Sequence, residues 1–325
     1  MHAEPMHDIN DVAPTSLSHL IGQKGVIEQV KVALDAAQQD GKKVDHMLMV
    51  GGAGLGKTQV AKVIAAEMAA DFNEVLGQAI SSPADLNAVL LAATDKAVVF
   101  IDECHELERE YQTALYLALD QRRVFLQGGR SGRTPQSIPI ADFSLLLATT
   151  DEFRLLQPLR DRMKLTLRFD FYSPDDLVEM LRQRSRALGW AVDDAVFPPI
   201  AQRSRGTPRL ALRLLQACRR VCRSEGEKVI IPEHLLRACS LEGIDSLGLG
   251  PTEQSYLRIV AEGASRLNVI ASRLGLPSRT VAEVTEPFLI RAGLLVKDDQ
   301  GRRELTAEGR EHLSQERKEG VRFGG

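Results

Sequence analysis

Hydrophobic and polar positions change their period twice along the chain, and these changes divide it into three parts. Up to residue 172, helix-like stretches alternate with short apolar runs: Leu48-Met49-Val50, Val98-Val99-Phe100-Ile101 and Leu145-Leu146-Leu147-Ala148. That alternation predicts a parallel sheet covered by helices. From 173 to 246 strand signals stop. Helical periods over 174–188, 196–204, 209–223 and 232–241 predict a small all-helical unit. The third part, 247–325, opens on the breaker Gly248-Leu249-Gly250-Pro251. Helical periods near 253–261, 267–274 and 278–292 then precede two strand-like pieces, Leu294-Leu295-Val296 and Arg303-Glu304-Leu305, around the turn Asp298-Asp299-Gln300-Gly301. Three helices followed by a β-hairpin predict a winged helix. The last dozen residues, charged and ending in Gly-Gly, read as frayed.

Composition narrows the class without choosing a function. The chain has 325 residues, 44% hydrophobic and 26% charged, enough for two or three domains with sizeable cores. A net charge of −3 excludes a wholly basic nucleic-acid coat but leaves a local basic surface open. No run approaches the roughly 18 apolar residues of a membrane span, and residues 1–10 carry acids and histidines where a signal peptide has its apolar core. No membrane association and a cytoplasmic location are therefore expected. The four cysteines, 104, 218, 222 and 239, include no Cys-x-x-Cys pair. Cys218 and Cys222 lie one helical turn apart, which suits two small buried thiols better than half of a zinc site, because no second pair of ligands is in view.

Chemistry enters at Gly51-Gly52-Ala53-Gly54-Leu55-Gly56-Lys57-Thr58, which follows the apolar run Met47-Leu48-Met49-Val50 and leads into a helical segment from Gln59. Strand, glycine-rich loop and helix are the context of a phosphate-binding loop. Glycines let successive N–H groups turn toward phosphate oxygens, and the helix start adds its positive dipole end. Lys57 then bridges the β- and γ-phosphates of ATP, and the Thr58 hydroxyl ligates Mg2+.

A second apolar strand ends in Asp102-Glu103. At the carboxyl end of a parallel strand, Asp102 suits the metal shell and Glu103 the attacking water. The same pair would also suit the start of a helix over 107–119, as favourable dipole charge; the phosphate loop favours the catalytic reading. Thr149-Thr150 closes a neighbouring strand, where a hydroxyl meets the γ-phosphate. Pro158-Leu159-Arg160-Asp161-Arg162 suits an arginine finger directed at an adjoining subunit. In Gly206-Thr207-Pro208-Arg209 an arginine stands at a helix start, against the dipole unless it meets an anion. A surface salt bridge is the alternative for each arginine.

With these residues assembled, the chain resembles the RuvB family, hexameric AAA+ motors that drive branch migration of Holliday junctions in bacteria. The resemblance covers residues 12 to 313. It is carried by His46-Met47-Leu48, Phe100-Ile101-Asp102-Glu103-Cys104-His105, Ala148-Thr149-Thr150, Pro158-Leu159-Arg160-Asp161-Arg162, Phe169-Asp170-Phe171-Tyr172, Arg205-Gly206-Thr207-Pro208-Arg209 and Glu286-Pro287-Phe288-Leu289-Ile290. It implies a P-loop AAA+ parallel-sheet ATPase core over 1–172, an all-helical lid over 173–246 and a winged-helix DNA-binding domain over 247–325.

By position the resemblance makes Lys57, Glu103, Thr150, Arg162 and Arg209 catalytic, with Thr149 a second choice for the sensor threonine and Arg160 beside the finger. Thr58 and Asp102 hold the metal. The nucleotide is bound by Val12, Ala13, the loop residues Gly51, Gly52, Ala53, Gly54, Leu55, Gly56, Lys57 and Thr58, by Gln59, and by Tyr172 and Arg209 from the lid side. Lys297 and Arg302 fall where the family has DNA-contacting arginines. Implied partners are duplex or junction DNA, a RuvA-type junction-binding protein and further copies of the chain in a hexameric ring.

Departures from the family bear on the partners. The loop reads Gly-Gly-Ala-Gly where the family has Gly-Pro-Pro-Gly, and Ala13-Pro14-Thr15 replaces Arg-Pro-Lys, so that backbone near Val12 and Ala13 must serve adenine. The hairpin between 119 and 145, the family's RuvA dock, carries Arg122, Arg123, Arg130 and Arg133 and lacks the usual tip. Asp298 and Asp299 stand beside the wing lysine and would weaken phosphate attraction. Two functions stay open: an ATP-driven DNA translocase, favoured by Glu103 and Arg162, and a non-translocating nucleotide switch or adaptor that recognises DNA or protein through its winged helix, favoured by the acidic wing turn.

Overall fold

The computed structural model describes residues 9, 12–126, 136–263 and 265–320, with side chains to 315. Two compact units are present, 1–189 with 206–212, and 190–205 with 213–325. The first unit runs α1 (Lys24–Asp40), β1 (Met47–Val50), α2 (Lys57–Glu67), β2 (Phe72–Leu76), α3 (Pro83–Ala92), β3 (Val98–Asp102), α4 (Arg109–Gln121), β4 (Arg123–Leu126), β5 (Gln136–Pro139), β6 (Ser144–Thr149), α5 (Gln157–Arg160), β7 (Leu165–Arg168) and α6 (Pro174–Ala187).

Five of these strands form one parallel sheet in the order β2-β3-β6-β1-β7, and β4 pairs with β5 as an antiparallel hairpin. Side chains alternate between the sheet's faces with period two. Met47, Met49, Val98, Phe100, Leu146 and Ala148 pack in one cluster with residues of α1 and α2. Leu48, Val99, Ile101, Leu145 and Leu147 pack in another with residues of α3 and α4. Burial on both faces explains why the three central strands read as solid apolar runs. The edge strands β2 and β7 give no such run: Asn73, Glu74, Thr166 and Arg168 interrupt them, and Leu167 alone of their residues is fully buried. Parallel pairing of β3, β6 and β1 brings their carboxyl ends together, so Asp102, Thr149 and the loop from Gly51 meet at one edge of the sheet.

In the second unit β8 (Ala191–Val192), α7 (Phe197–Arg203), α8 (Pro208–Ser224), β9 (Val229–Ile230) and α9 (Pro232–Glu242) come first; residues 208–212 of α8 count with the first unit. The helices follow the periods in the sequence. β8 and β9 add one two-residue parallel pair, too short to leave a sequence signal.

The winged helix consists of α10 (Pro251–Ala261), α11 (Leu267–Leu274), α12 (Ser278–Thr280), α13 (Glu286–Arg291), β10 (Leu295–Lys297), β11 (Arg303–Leu305) and α14 (Ala307–Gly320) around buried Leu249, Tyr256, Leu257, Ile270, Leu289 and Leu295. A π-helical turn, Val281–Thr285, joins α12 to α13, so the helix expected over 278–292 is continuous but widened in the middle. Pro287 supplies the reason. Its nitrogen has no hydrogen, and its ring crowds the carbonyl four residues back, which a wider turn relieves. The tail differs from expectation. Part of the segment read as frayed lies in α14, whose start is capped by Thr306 Oγ1 accepting the Gly309 N–H at 2.9 Å.

Candidate active site

β1 delivers the chain into the glycine loop, and the Gly51 N–H donates to the Thr149 carbonyl at 3.2 Å. Gly54 and Gly56 take φ of 78° and 97° in the left-handed region, and at Gly54 a Cβ would come within 2.9 Å of Arg209 Cβ. α2 begins at Lys57, so its unpaired first-turn N–H groups face the loop's concave side. The Lys57 ammonium, nearly buried, donates to the carbonyl oxygens of Gly51 and Gly52 at 2.7 and 2.9 Å. Burial lowers its pKa, against an opposing pull from Asp102.

Thr58 Oγ1 donates to Asp102 Oδ2 at 3.0 Å. A hydroxyl and a carboxylate oxygen this close, beside the loop, form the hard-oxygen pair that suits Mg2+. Glu103 follows with φ of 50°, its N–H donating to Asp102 Oδ1 at 2.9 Å. A non-glycine residue held there costs about 1–3 kcal/mol, and such strain clusters at functional sites. The surroundings hold it: a Cβ on Gly77 would stand 2.5 Å from the Glu103 carbonyl oxygen. α4 starts only at Arg109, after a 3-10 turn from Cys104 to Glu106, so Asp102 and Glu103 do not cap that helix.

A cavity of about 490 Å³ gathers most of the residues singled out in the sequence. Ala13, the loop from Ala53 to Thr58, Gln59, Asp102, Glu103, Thr150, Tyr172 and Arg209 line it. Gly51 and Gly52 take part through the carbonyls that hold Lys57. Val12 borders an adjoining cavity that shares Ala13 and Pro14, and Gln59 ties this segment down by donating to the Pro14 carbonyl at 2.9 Å. The two threonines divide. Both line the cavity, but Thr149 is buried, with its hydroxyl 3.2 Å from His105 Nδ1 and accepting from the Asp151 N–H at 2.9 Å, whereas Thr150 is exposed. Tyr172 packs its ring on Gly22, where a Cβ would approach within 2.6 Å, and burial raises its hydroxyl pKa to about 12. Arg209 stands in the first turn of α8, and its backbone N–H reaches the Gly54 carbonyl at 3.4 Å.

The sequence did not mark His19, Leu20, Met180, Gln183 and Arg184, which also line the cavity. They come from the end of a 3-10 turn, Leu17–His19, and from α6, where an ordinary amphipathic period carries no sign of a ligand.

Three sequence models of families match the chain: the Holliday junction DNA helicase RuvB P-loop domain over 12–169, the RuvB AAA lid domain over 172–245 and the RuvB C-terminal winged helix domain over 246–314. The chain belongs to the RuvB family. It is 34% identical to the Holliday junction branch migration complex subunit RuvB of Kosmotoga olearia, over 95% of this chain and 91% of that one. Identity to the protein of the same name from Thermobifida fusca is 39%, over 89% and 84%. Among solved structures, a point mutant of Thermotoga maritima RuvB matches with a TM-score of 0.83 at 32% identity, covering 93% of this chain and 99% of that one. Thermotoga maritima RuvB, described as a Holliday junction branch migration motor, matches with a TM-score of 0.80 at 32% identity, covering 93% and 97%. RuvB-family membership makes the chain an AAA+ P-loop ATPase that binds nucleotide.

Other residues singled out lie elsewhere in this RuvB-family chain. The Arg162 guanidinium engages both carboxylate oxygens of Asp120 and stacks 4.7 Å from the centre of the Tyr116 ring. The hydrogen bond with Asp120 raises the Arg162 pKa and lowers that of Asp120. Arg160 stacks on the exposed ring of Phe153 at 5.5 Å. In the wing Arg302 is exposed, but the Lys297 ammonium lies 2.7 Å from Oε2 of the fully buried Glu286. Of the hairpin arginines, Arg122 pairs with Asp142 at 3.1 Å and Arg123 donates to Ser137 Oγ at 3.0 Å; Arg130 and Arg133 lie outside the described residues.

All four cysteines are buried free thiols. Burial pushes the Cys218 pKa up to about 12. Glu225, Glu227 and His234 also cluster, but His234 Nδ1 accepts the Ile231 N–H at 3.0 Å. That bond leaves the ring proton on Nε2, where a metal would need a lone pair. Among the described residues no helix is long and apolar enough to cross a membrane.

Proposed function

We propose that this chain is a cytoplasmic motor subunit that hydrolyses ATP to drive Holliday junction branch migration, the role named for its relatives. The observation that carries this reading is the convergence of Lys57, Thr58, Asp102, Glu103, Thr150 and Arg209 on one cavity from separate strand and helix ends. The division of labour is then an ATPase core over 1–172, a lid over 173–246 and a DNA-binding winged helix over 247–325.

The triphosphate lies along the glycine loop, where backbone N–H groups and the start of α2 meet its oxygens. Lys57 exchanges the carbonyls of Gly51 and Gly52 for phosphate oxygens. Thr58 and Asp102 would hold Mg2+, which neutralises charge on the β- and γ-phosphates when bound. Glu103 orients the attacking water and accepts its proton, while the Thr150 hydroxyl faces the γ-phosphate. Tyr172, Arg209 and the backbone at Val12 and Ala13 hold the nucleotide from the lid side and around the base.

Arg162 does not line its own chain's cavity, yet Asp120 and Tyr116 hold it in a defined place. As a finger, Arg162 exchanges this surface salt bridge with Asp120 for the neighbour's γ-phosphate in a ring of six copies and stabilises transition-state charge there. The β4–β5 hairpin, with exposed Phe125, is the proposed dock of a RuvA-type partner. Asp298, which in sequence weighed for an adaptor, accepts the N–H groups of Gln300 and Arg302 at 2.9 and 2.7 Å and so serves the wing turn.

ATP turnover by the purified chain, measured with and without duplex and four-way junction DNA, tests the reading. Stimulation by DNA is expected. Turnover that no DNA alters would leave an ATPase and remove the motor.

A further inference from the structure

Charge in the wing is arranged differently from what position along the chain suggests. Lys297 and Arg303 both direct their cations at Glu286, at 2.7 and 2.8 Å, and the Tyr256 hydroxyl donates to the same carboxylate at 2.8 Å. These groups tie β10 and β11 to α13, so little of the Lys297 charge is left for an outside ligand. Two other arginines border a cleft of about 520 Å³ nearby: Arg302 in the wing turn and Arg266 immediately before α11, together with Asn268 and Ser278. Both arginines are exposed, and among the described residues neither has a carboxylate partner.

Among the described residues no acid lines this cleft. Asp298 is turned into the hairpin, where its Oδ1 receives two backbone N–H groups. The cleft's shape is also fixed, because the Arg303 N–H donates to the Ser265 carbonyl at 2.8 Å and so fastens the wing strand to the segment that carries Arg266. Two such guanidiniums, a hydroxyl and an amide around a cleft free of acids match phosphodiester oxygens, which arginine binds through several N–H groups at once.

We propose that Arg266 and Arg302 grip the backbone of duplex DNA together, with Arg266 making the contact that sequence position assigns to Lys297. The inference rests on the motor reading and deepens it. Such contacts position the duplex without reading its sequence.

Duplex binding by the full chain with ATP and Mg2+, titrated from about 50 to 200 mM salt, tests it. Each phosphate contact contributes about 0.9 to the slope of log affinity against log salt. Arg266→Ala and Arg302→Ala should each make the slope shallower by about 0.9, and the double variant by about 1.8, equally on unrelated sequences. Arg266→Lys should restore the slope, and Lys297→Met, which keeps the apolar stem, should leave it unchanged. A wild-type slope in Arg266→Ala, or a loss in Lys297→Met equal to that in Arg302→Ala, would overturn the cleft and spare the motor. A wild-type chain that binds no duplex at any salt would overturn both.

Discussion

In the cavity beside the glycine loop the polar groups stand where strands end or a helix begins: Asp102 closes β3, Thr149 closes β6 and Lys57 opens α2. Strand register delivers Asp102 and Thr149, whose short side chains have little freedom to point elsewhere, and burial with the carbonyls of Gly51 and Gly52 confines the longer Lys57. In the wing Lys297 also sits on a strand, but its flexible four-carbon stem lets the ammonium turn to a carboxylate on another element. The difference teaches that sequence position predicts a contact when the backbone aims it. It predicts less when a long side chain can choose between solvent, a ligand and a buried partner.

The largest effect expected is at Lys57. Lys57→Ala should lose nucleotide binding and all turnover, whereas a Lys57→Ala protein that still binds a fluorescent ATP analogue normally would break the comparison on its firmer side. Arg162→Ala comes next, with turnover reduced by about 10³–10⁵-fold while nucleotide binding is kept. Mixed with Glu103→Gln chains it should recover activity, because each chain supplies what its neighbour lacks; no recovery at any ratio would place Arg162 in its own site. Glu103→Gln alone should bind ATP and turn it over about 10²–10⁴-fold more slowly. Ordinary turnover there would end the role given to that carboxylate.

A smaller effect sharpens the wing side. Burial would raise the Glu286 carboxyl, but hydrogen bonds from Arg303, Lys297 and Tyr256 outweigh it and hold the pKa below the usual range. A carboxylate depressed on folding adds stability that is complete above its unfolded pKa, near 4.5, and is lost as pH falls through the folded value. Glu286→Gln should therefore destabilise the protein at neutral pH by about 3 kcal/mol, the low end for breaking a buried pair because Lys297 can turn to water. That deficit should shrink below pH 4.5; thermal melts of both proteins across roughly pH 3–7 would show no deficit if the network were unimportant, and a constant one if the charge of Glu286 played no part in it.

The smallest expected effect is at Gly77, where Ala would press on the Glu103 carbonyl. Overpacking of this kind costs about 1–3 kcal/mol. It should also lower turnover without changing ATP affinity, and a Gly77→Ala protein with intact turnover would show that the left-handed turn at Glu103 tolerates the shift.

Legibility followed burial. The central strands could be read because burial on both faces leaves them solidly apolar, and the glycine loop because its backbone needs glycine at Gly54 and Gly56. The edge strands β2 and β7 and helix α14 escaped, since half-buried elements admit charge and blur the period. The π turn was legible only in hindsight through Pro287, whose effect depends on the helix continuing past it.

By itself the sequence determined the order of sheet, lid and winged helix, the phosphate loop and the pair Asp102-Glu103, because periodicity and glycine demand are local properties of the chain. Tertiary structure alone decided that Arg184 and Met180 line the cavity beside the glycine loop, that Asp120 and Tyr116 hold Arg162, and that Glu286 claims Lys297. Each of these joins residues distant along the chain, and which partner a flexible side chain takes depends on what folding brings within reach and shields from water.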